Sequence, residues 1–133
     1  MGYSISQAAQ KSNLSCYTLR YYDKEGLLPF VERGQSGYRE FSDQDLEWLA
    51  LINCLKNTGM PIKQIKEIID LTVEGDQTLL QRQQMFVEHR KNVLAQITAL
   101  QKYLTKIDCK INYYGKAYQT YLEGETAPLS ICK

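Results

Sequence analysis

From about Gln77 to Leu122 the chain runs without a proline and with a single glycine, Gly115. Within that run Val93, Ile97, Leu100, Leu104, Ile107, Ile111, Tyr114, Tyr118 and Tyr121 recur at steps that alternate between four and three. This is the seam of a coiled coil. A helix of this length reaches about 67 Å at 1.5 Å per residue, too far to bury its seam against the rest of so short a chain. It requires a partner helix, and a second copy of the chain is the nearest one. A homodimer held by Val93, Ile97, Leu100, Leu104, Ile107, Ile111 and Tyr114 is therefore expected. Toward its start the seam passes through Gln83, Phe86 and Arg90, so packing there is looser or draws on Val87 and Leu94.

The residues before this helix read as a set of short elements. Ser4 followed by Gln7 is a capping box, and Ile5, Ala8 and Ala9 give its helix a small apolar face. Ser12-Asn13 makes a turn. Ser15 then caps a second helix that Gly26 and Pro29 end. That second helix is too short to be stable alone and leans on neighbours. Leu19 and one of Tyr21 and Tyr22 face inward, while Tyr17, Thr18, Arg20 and the other tyrosine point outward. Forked donors, hydroxyls and flat rings on a short exposed helix suit phosphate oxygens and base edges. Two short helices joined by a tight turn form a helix-turn-helix.

Val31 to Arg33 and Tyr38 to Phe41 flank Gly34-Gln-Ser-Gly37, a hairpin with a glycine-bearing loop. After a helix-turn-helix such a hairpin is a wing, whose Arg33, Tyr38 and Arg39 reach backbone phosphates beside the groove. Ser42 and Asp45 start a third helix bearing Leu46, Trp48, Leu49, Leu51, Ile52 and Leu55. Gly59 closes it, and Pro61 opens a fourth with Ile62, Ile65, Ile68 and Ile69 on its buried stripe. Lys63, just past that turn, is a further candidate phosphate contact. The expected fold is mainly α: a winged helix-turn-helix domain over residues 1–72, a long dimerisation helix over 73–122, and a mobile tail over 123–133.

Charge does not announce a partner. The net charge is +1, and residues 1–72 hold 8 basic and 9 acidic side chains. A nucleic-acid role rests on where charges sit, not on their sum. No apolar run approaches the roughly 20 residues needed to span a bilayer. The N-terminus shows no charged-then-apolar leader, so a cytoplasmic location without membrane contact is expected. Cys16, Cys54, Cys109 and Cys132 are far apart and form no C-x-x-C pair, and are expected as reduced thiols. No Ser/His/Asp set, glycine-rich phosphate loop or carboxylate pair points to an enzyme, and no cofactor is implied. The lone His89 falls in a polar run of the long helix and reads as solvated.

The order of Tyr3-Ser-Ile-Ser-Gln-Ala-Ala, Thr18-Leu-Arg-Tyr-Tyr-Asp-Lys-Glu-Gly-Leu-Leu-Pro29, Ser36-Gly-Tyr-Arg39, Phe41-Ser-Asp-Gln-Asp-Leu46 and Gly59-Met-Pro-Ile-Lys-Gln-Ile65 resembles the MerR family of bacterial transcription regulators. The resemblance covers residues 3 to about 72 closely, and the long helix in character only. It implies a winged-helix dimer with antiparallel long helices that binds a palindromic operator in promoter DNA. An activated form bends and untwists that promoter so that RNA polymerase engages both of its elements. On the matching positions it implies recognition-helix contacts from Tyr17, Thr18, Arg20, Tyr21 and Tyr22 and wing contacts from Tyr38 and Arg39. The competing reading is a coiled-coil adaptor whose N-terminal module binds protein, which would show no salt-dependent DNA affinity.

Metal-sensing relatives carry a cysteine at the start of the long helix; residues 76–84 here contain none, so no metal site is expected. The lone Cys54 in the third helix resembles the NmlR/AdhR-like branch, which answers reactive aldehydes and thiol stress. Cys54 is thus read two ways, as a sensor thiol or as a small packing residue; a non-thiol effector is the remaining option. Its helical neighbours Ala50, Leu51, Asn57 and Thr58 carry no cation, so a reactive Cys54 requires a basic group from elsewhere.

Overall fold

The computed structural model describes residues 2–126. The elements follow in the order α1 (Ile5–Ser12), α2 (Cys16–Lys24), β1 (Glu32–Arg33), β2 (Arg39–Glu40), α3 (Asp43–Asn57), α4 (Ile62–Glu74) and α5 (Leu79–Leu122). A single 3₁₀ turn, Asp76–Thr78, stands between α4 and α5. This is the expected winged helix-turn-helix followed by a long helix. By their contacts the residues form two compact units, Met1–His89 and Arg90–Lys133.

In the first unit, local chemistry sets the helix ends. The Ser4 N–H donates to Gln7 Oε1 at 2.9 Å while the Gln7 N–H donates to Ser4 Oγ at 3.2 Å. The box of α3 is built the same way from Ser42 and Asp45, at 2.8 and 3.1 Å. That pairing lets the Asp45 carboxylate lie almost wholly buried. Asn13 ends α1 in the left-handed region with φ 55°, a conformation that asparagine tolerates better than most residues. It turns the chain so that the Leu14 N–H reaches the Ala9 carbonyl at 2.9 Å. Ser15 Oγ then accepts the Thr18 N–H at 3.0 Å and starts α2.

One core joins these helices. Leu19 and Tyr22 of α2 meet Ala8 and Ala9 of α1, Leu49 and Ile52 of α3, and Ile65 and Ile69 of α4 in a single apolar cluster. Leu27, Leu28, Val31 and Phe41 carry it beneath the wing. There Phe30 and Trp48 stack with centroids 5.3 Å apart. The wing is an antiparallel pair with Glu32 opposite Glu40 and Arg33 opposite Arg39. Tyr3 adds a third segment, pairing both of its backbone groups with Phe41 at 2.6 and 2.8 Å.

The passage from α4 to α5 is clamped. Gly75 takes φ 120° to break the helix, and the Thr78 hydroxyl sits 2.7 Å from the Leu71 carbonyl. Arg82 donates from Nε to Thr78 Oγ1 at 3.0 Å and from Nη2 to the Gly75 carbonyl at 3.2 Å. Met85 and Phe86 pack against the core cluster. The seam is therefore looser at the start of α5, where Phe86 packs on the core of the first unit.

The second unit holds the rest of α5. Ile97, Leu100, Leu104, Ile107, Ile111, Tyr114, Tyr118 and Tyr121 all stand exposed, from 46% at Leu104 to 71% at Tyr121, and Val93 is half-exposed. An apolar stripe this continuous marks an interaction surface. Most of the expected tail, including Cys132, lies outside the described residues.

Candidate nucleic-acid interface

Helix α2 divides its side chains as its 3.6-residue period requires. Leu19 and Tyr22 are fully buried, whereas Tyr17 is 78% exposed and Tyr21 37%. Arg20 is exposed beside them. Thr18 is half-buried, its hydroxyl 2.9 Å from Ser15 Oγ within the N-cap. The outward face of α2 is therefore Tyr17, Arg20 and Tyr21.

Tyr22 is a correction. Expected among the DNA contacts, it has no exposed surface; its ring packs in the core, with Lys56 Nζ 5.5 Å from the ring centre. Tyr21 is its immediate neighbour, and the 100° step along the helix leaves Tyr21 at the surface while Tyr22 enters the core, with their ring centres 6.2 Å apart. Its hydroxyl has no hydrogen-bond partner, and burial pushes its pKa above the usual tyrosine range, with Tyr21 adding to the shift.

Across from α2 stands the wing. Its loop is closed by the Gly34 N–H on the Tyr38 carbonyl at 2.8 Å and by Arg33 Nη1 on the Gly37 carbonyl at 2.7 Å. Gly37 adopts φ 84°, which glycine takes without steric cost. Tyr38 is 78% exposed. Arg20, Asp23, Arg33, Tyr38 and Arg39 all line one groove of about 1040 Å³ between α2 and the wing.

Arg39 departs from its expected role. Its guanidinium does not stand free for phosphate. Nη2 meets Asp23 Oδ1 at 2.8 Å, Nε meets Asp23 Oδ2 at 3.3 Å, and Nη1 donates to the Val31 carbonyl. The side chain is 29% exposed. Lys63 is exposed on α4, where it lines a separate shallow depression with Lys66 and Asp70 and not the groove.

Cys54 is an exposed free thiol, so the packing alternative does not describe it. Cys16 also carries a free thiol, half-buried and 3.9 Å from Ser6 Oγ. Of the three cysteines among the described residues, Cys16 and Cys54 are free and Cys109 has a partner. His89 is not simply solvated: its Nε2 lies 2.7 Å from Thr58 Oγ1 at the end of α3. Among the described residues no group of three or more His, Cys, Asp or Glu is placed to hold a metal ion. No helix of the described residues is long and apolar enough to cross a membrane.

Sequence reasoning missed Asp23 and Thr58. Asp23 carried a signal, being the one acid in a helix otherwise read as phosphate-facing. Thr58 carried none, because its partner is 31 residues away.

Residues 3–72 match the MerR HTH family regulatory proteins, and residues 46–108 match the MerR, DNA binding family. An uncharacterised HTH-type transcriptional regulator of Haemophilus influenzae is 49% identical over 88% of this chain and 87% of its own length. The HTH-type transcriptional regulator AdhR of Bacillus subtilis is 40% identical over 69% of this chain and 60% of its own. In three dimensions the chain is similar to HiNmlR, a MerR family regulator lacking the sensor domain that was solved bound to promoter DNA. The TM-score is 0.83 at 48% identity, covering 90% of this chain and 94% of that one. The chain belongs to the MerR family of transcription regulators, in its NmlR/AdhR-like branch.

Proposed function

We propose that the protein binds a palindromic promoter operator as a homodimer and distorts it to control transcription by RNA polymerase. The observation that carries this reading is the placement of Tyr17, Arg20 and Tyr21 on the outward face of α2, with Arg33 and Tyr38 of the wing across the groove. Side chains of α2 would meet base edges and phosphates in the major groove; the wing would meet the adjoining backbone. Lys63 supplies a further cation on α4. The exposed seam from Val93 to Tyr121 is suited to a second copy, and a two-fold dimer reads identical half-sites a whole number of turns apart. Bending the site costs several kcal/mol, which the added phosphate contacts offset. The residues perform no catalytic step in this reading. Residues 1–72 would act on DNA and 73–122 would carry dimerisation.

The test is a fluorescence-anisotropy titration of promoter duplex at several salt concentrations, with sedimentation of the same complex. Two chains per duplex and affinity that falls steeply with salt are expected. Salt-independent binding, or none, would leave the adaptor reading standing.

A specific observation favours thiol sensing as the way the regulator is switched. Cys54 is exposed and free, one helical turn from Thr58, whose hydroxyl contacts the His89 imidazole. His89 supplies a basic side chain in this region from outside α3. An aldehyde adduct or an oxidised sulfur at Cys54 would add bulk at the end of α3, where α3 meets α5. A shift there would alter the spacing of the two recognition helices and so the bend in bound DNA.

A further inference from the structure

The guanidinium of Arg39 joins three segments of chain at once, its own and two others. It grips the Asp23 carboxylate of α2 through two N–H donors and the Val31 carbonyl, just before β1, through a third. Arg39 itself lies in β2. One planar fork thus ties the recognition helix to both arms of the wing. Forked pairs of this kind fix orientation as well as distance. The Tyr3–Phe41 pairing and the core beneath anchor the base of the wing, and the fork adds a direct tie to α2. The wing's strands are two residues long, and a lone two-stranded hairpin is marginal in water.

We propose that the Asp23–Arg39 pair is a positioning device for DNA recognition: it sets the angle and spacing between α2 and the wing, so that Arg20 and Tyr38 meet their targets together. This rests on the DNA-binding reading and deepens it. Asp23 places a negative charge in a groove that receives phosphates. Simple electrostatics says that its removal strengthens DNA binding. Positioning says that its removal weakens it. The two accounts disagree in sign, which makes the pair decisive.

The experiment uses the full chain and the duplex recovered by selection with the unaltered protein. Affinity and its salt slope are measured for Asp23→Ala, Arg39→Lys and Arg39→Ala. Circular dichroism checks that each variant folds. Asp23→Ala and Arg39→Lys should each weaken binding roughly ten-fold, the factor that corresponds to one charge-assisted hydrogen-bond pair. The salt slope should stay at its original value in all three variants, because no phosphate contact is lost. Amide exchange at Gly34 and Gly37 of the free protein should speed up in each.

Unchanged or tighter binding by Asp23→Ala would overturn the proposal. So would a salt slope lowered by about one in Arg39→Ala with near-normal binding by Arg39→Lys, the signature of a plain phosphate contact. Failure of the DNA reading looks different. The unaltered chain would then select no duplex, while the amide-exchange response of the three variants would still show the bridge holding the wing. Failure of the bridge alone would leave selection intact and amide exchange unaltered in Asp23→Ala.

Discussion

His89 Nε2 stands 2.7 Å from Thr58 Oγ1, and the same hydroxyl lies 2.7 Å from the Cys54 carbonyl. The hydroxyl has one proton. When it donates to the carbonyl, the imidazole N–H must donate to the hydroxyl oxygen. The end of α3 and the early turns of α5 are joined through this pair within the first unit. His89→Ala should cost about 1 kcal/mol of folding stability, the net worth of one such bond. Urea denaturation reads it; an unchanged midpoint would show that the bond contributes nothing.

Tyr22 makes a second prediction. Its buried hydroxyl has no partner, so Tyr22→Phe removes a desolvation cost without opening a cavity. A gain of about 1 kcal/mol is expected, with DNA affinity unaltered. The pH dependence follows from the raised pKa. The native state holds the phenol proton above the pH where the unfolded chain releases it. Stability is then full below about pH 10, the ordinary tyrosine value, and falls as pH rises beyond it. Alkaline denaturation should be shallower for Tyr22→Phe. Loss of DNA binding in that variant would return Tyr22 to the interface.

Cys54 carries the sensing account. Cys54→Ser should keep operator binding and lose the promoter response to aldehyde or thiol oxidant, while Cys16→Ser keeps both. The exposed Cys54 should also be modified before the half-buried Cys16, as read by mass spectrometry after mild electrophile treatment. A full reporter response from Cys54→Ser would rule the thiol out as the switch.

The seam is tested by Leu104→Asp. Leu104 lies within the run from Val93 to Tyr121, so the substitution sets a carboxylate in the proposed dimer core. An unpaired charge there is not tolerated without loss of association. Sedimentation should find monomers, with operator affinity sharply reduced. A dimeric variant would place the interface elsewhere.

Where local rules govern, the fold was legible from residues alone. The Ser4–Gln7 and Ser42–Asp45 boxes, the turn at Asn13 and the stops at Gly26 and Gly59 all depend on side chains within a few positions of one another. So does the seam, which needs only its period. Tyr21 and Tyr22 mark the limit. That one faced the core was readable; which one was not, because helix phase is settled by Leu49, Ile52 and the other residues that pack against α2. Arg39 and His89 failed for the same reason. Each finds its partner far along the chain, Asp23 sixteen and Thr58 thirty-one residues away, and sequence spacing carries no record of such contacts. A charged wing residue was read as phosphate-facing when its carboxylate lay within the same domain.

The central claim is that α2 and the wing, presented twice by a dimer, read DNA. Selection of bound duplexes from a random pool by the full chain tests it most directly. The account predicts enrichment of an inverted repeat whose half-sites lie a whole number of helical turns apart, about 10–10.5 base pairs each. It also predicts that Arg20→Ala binds the recovered duplex some 1–3 kcal/mol more weakly, with specificity relaxed at one position of each half-site. A pool that shows no enrichment, or a single site without two-fold symmetry, would contradict it.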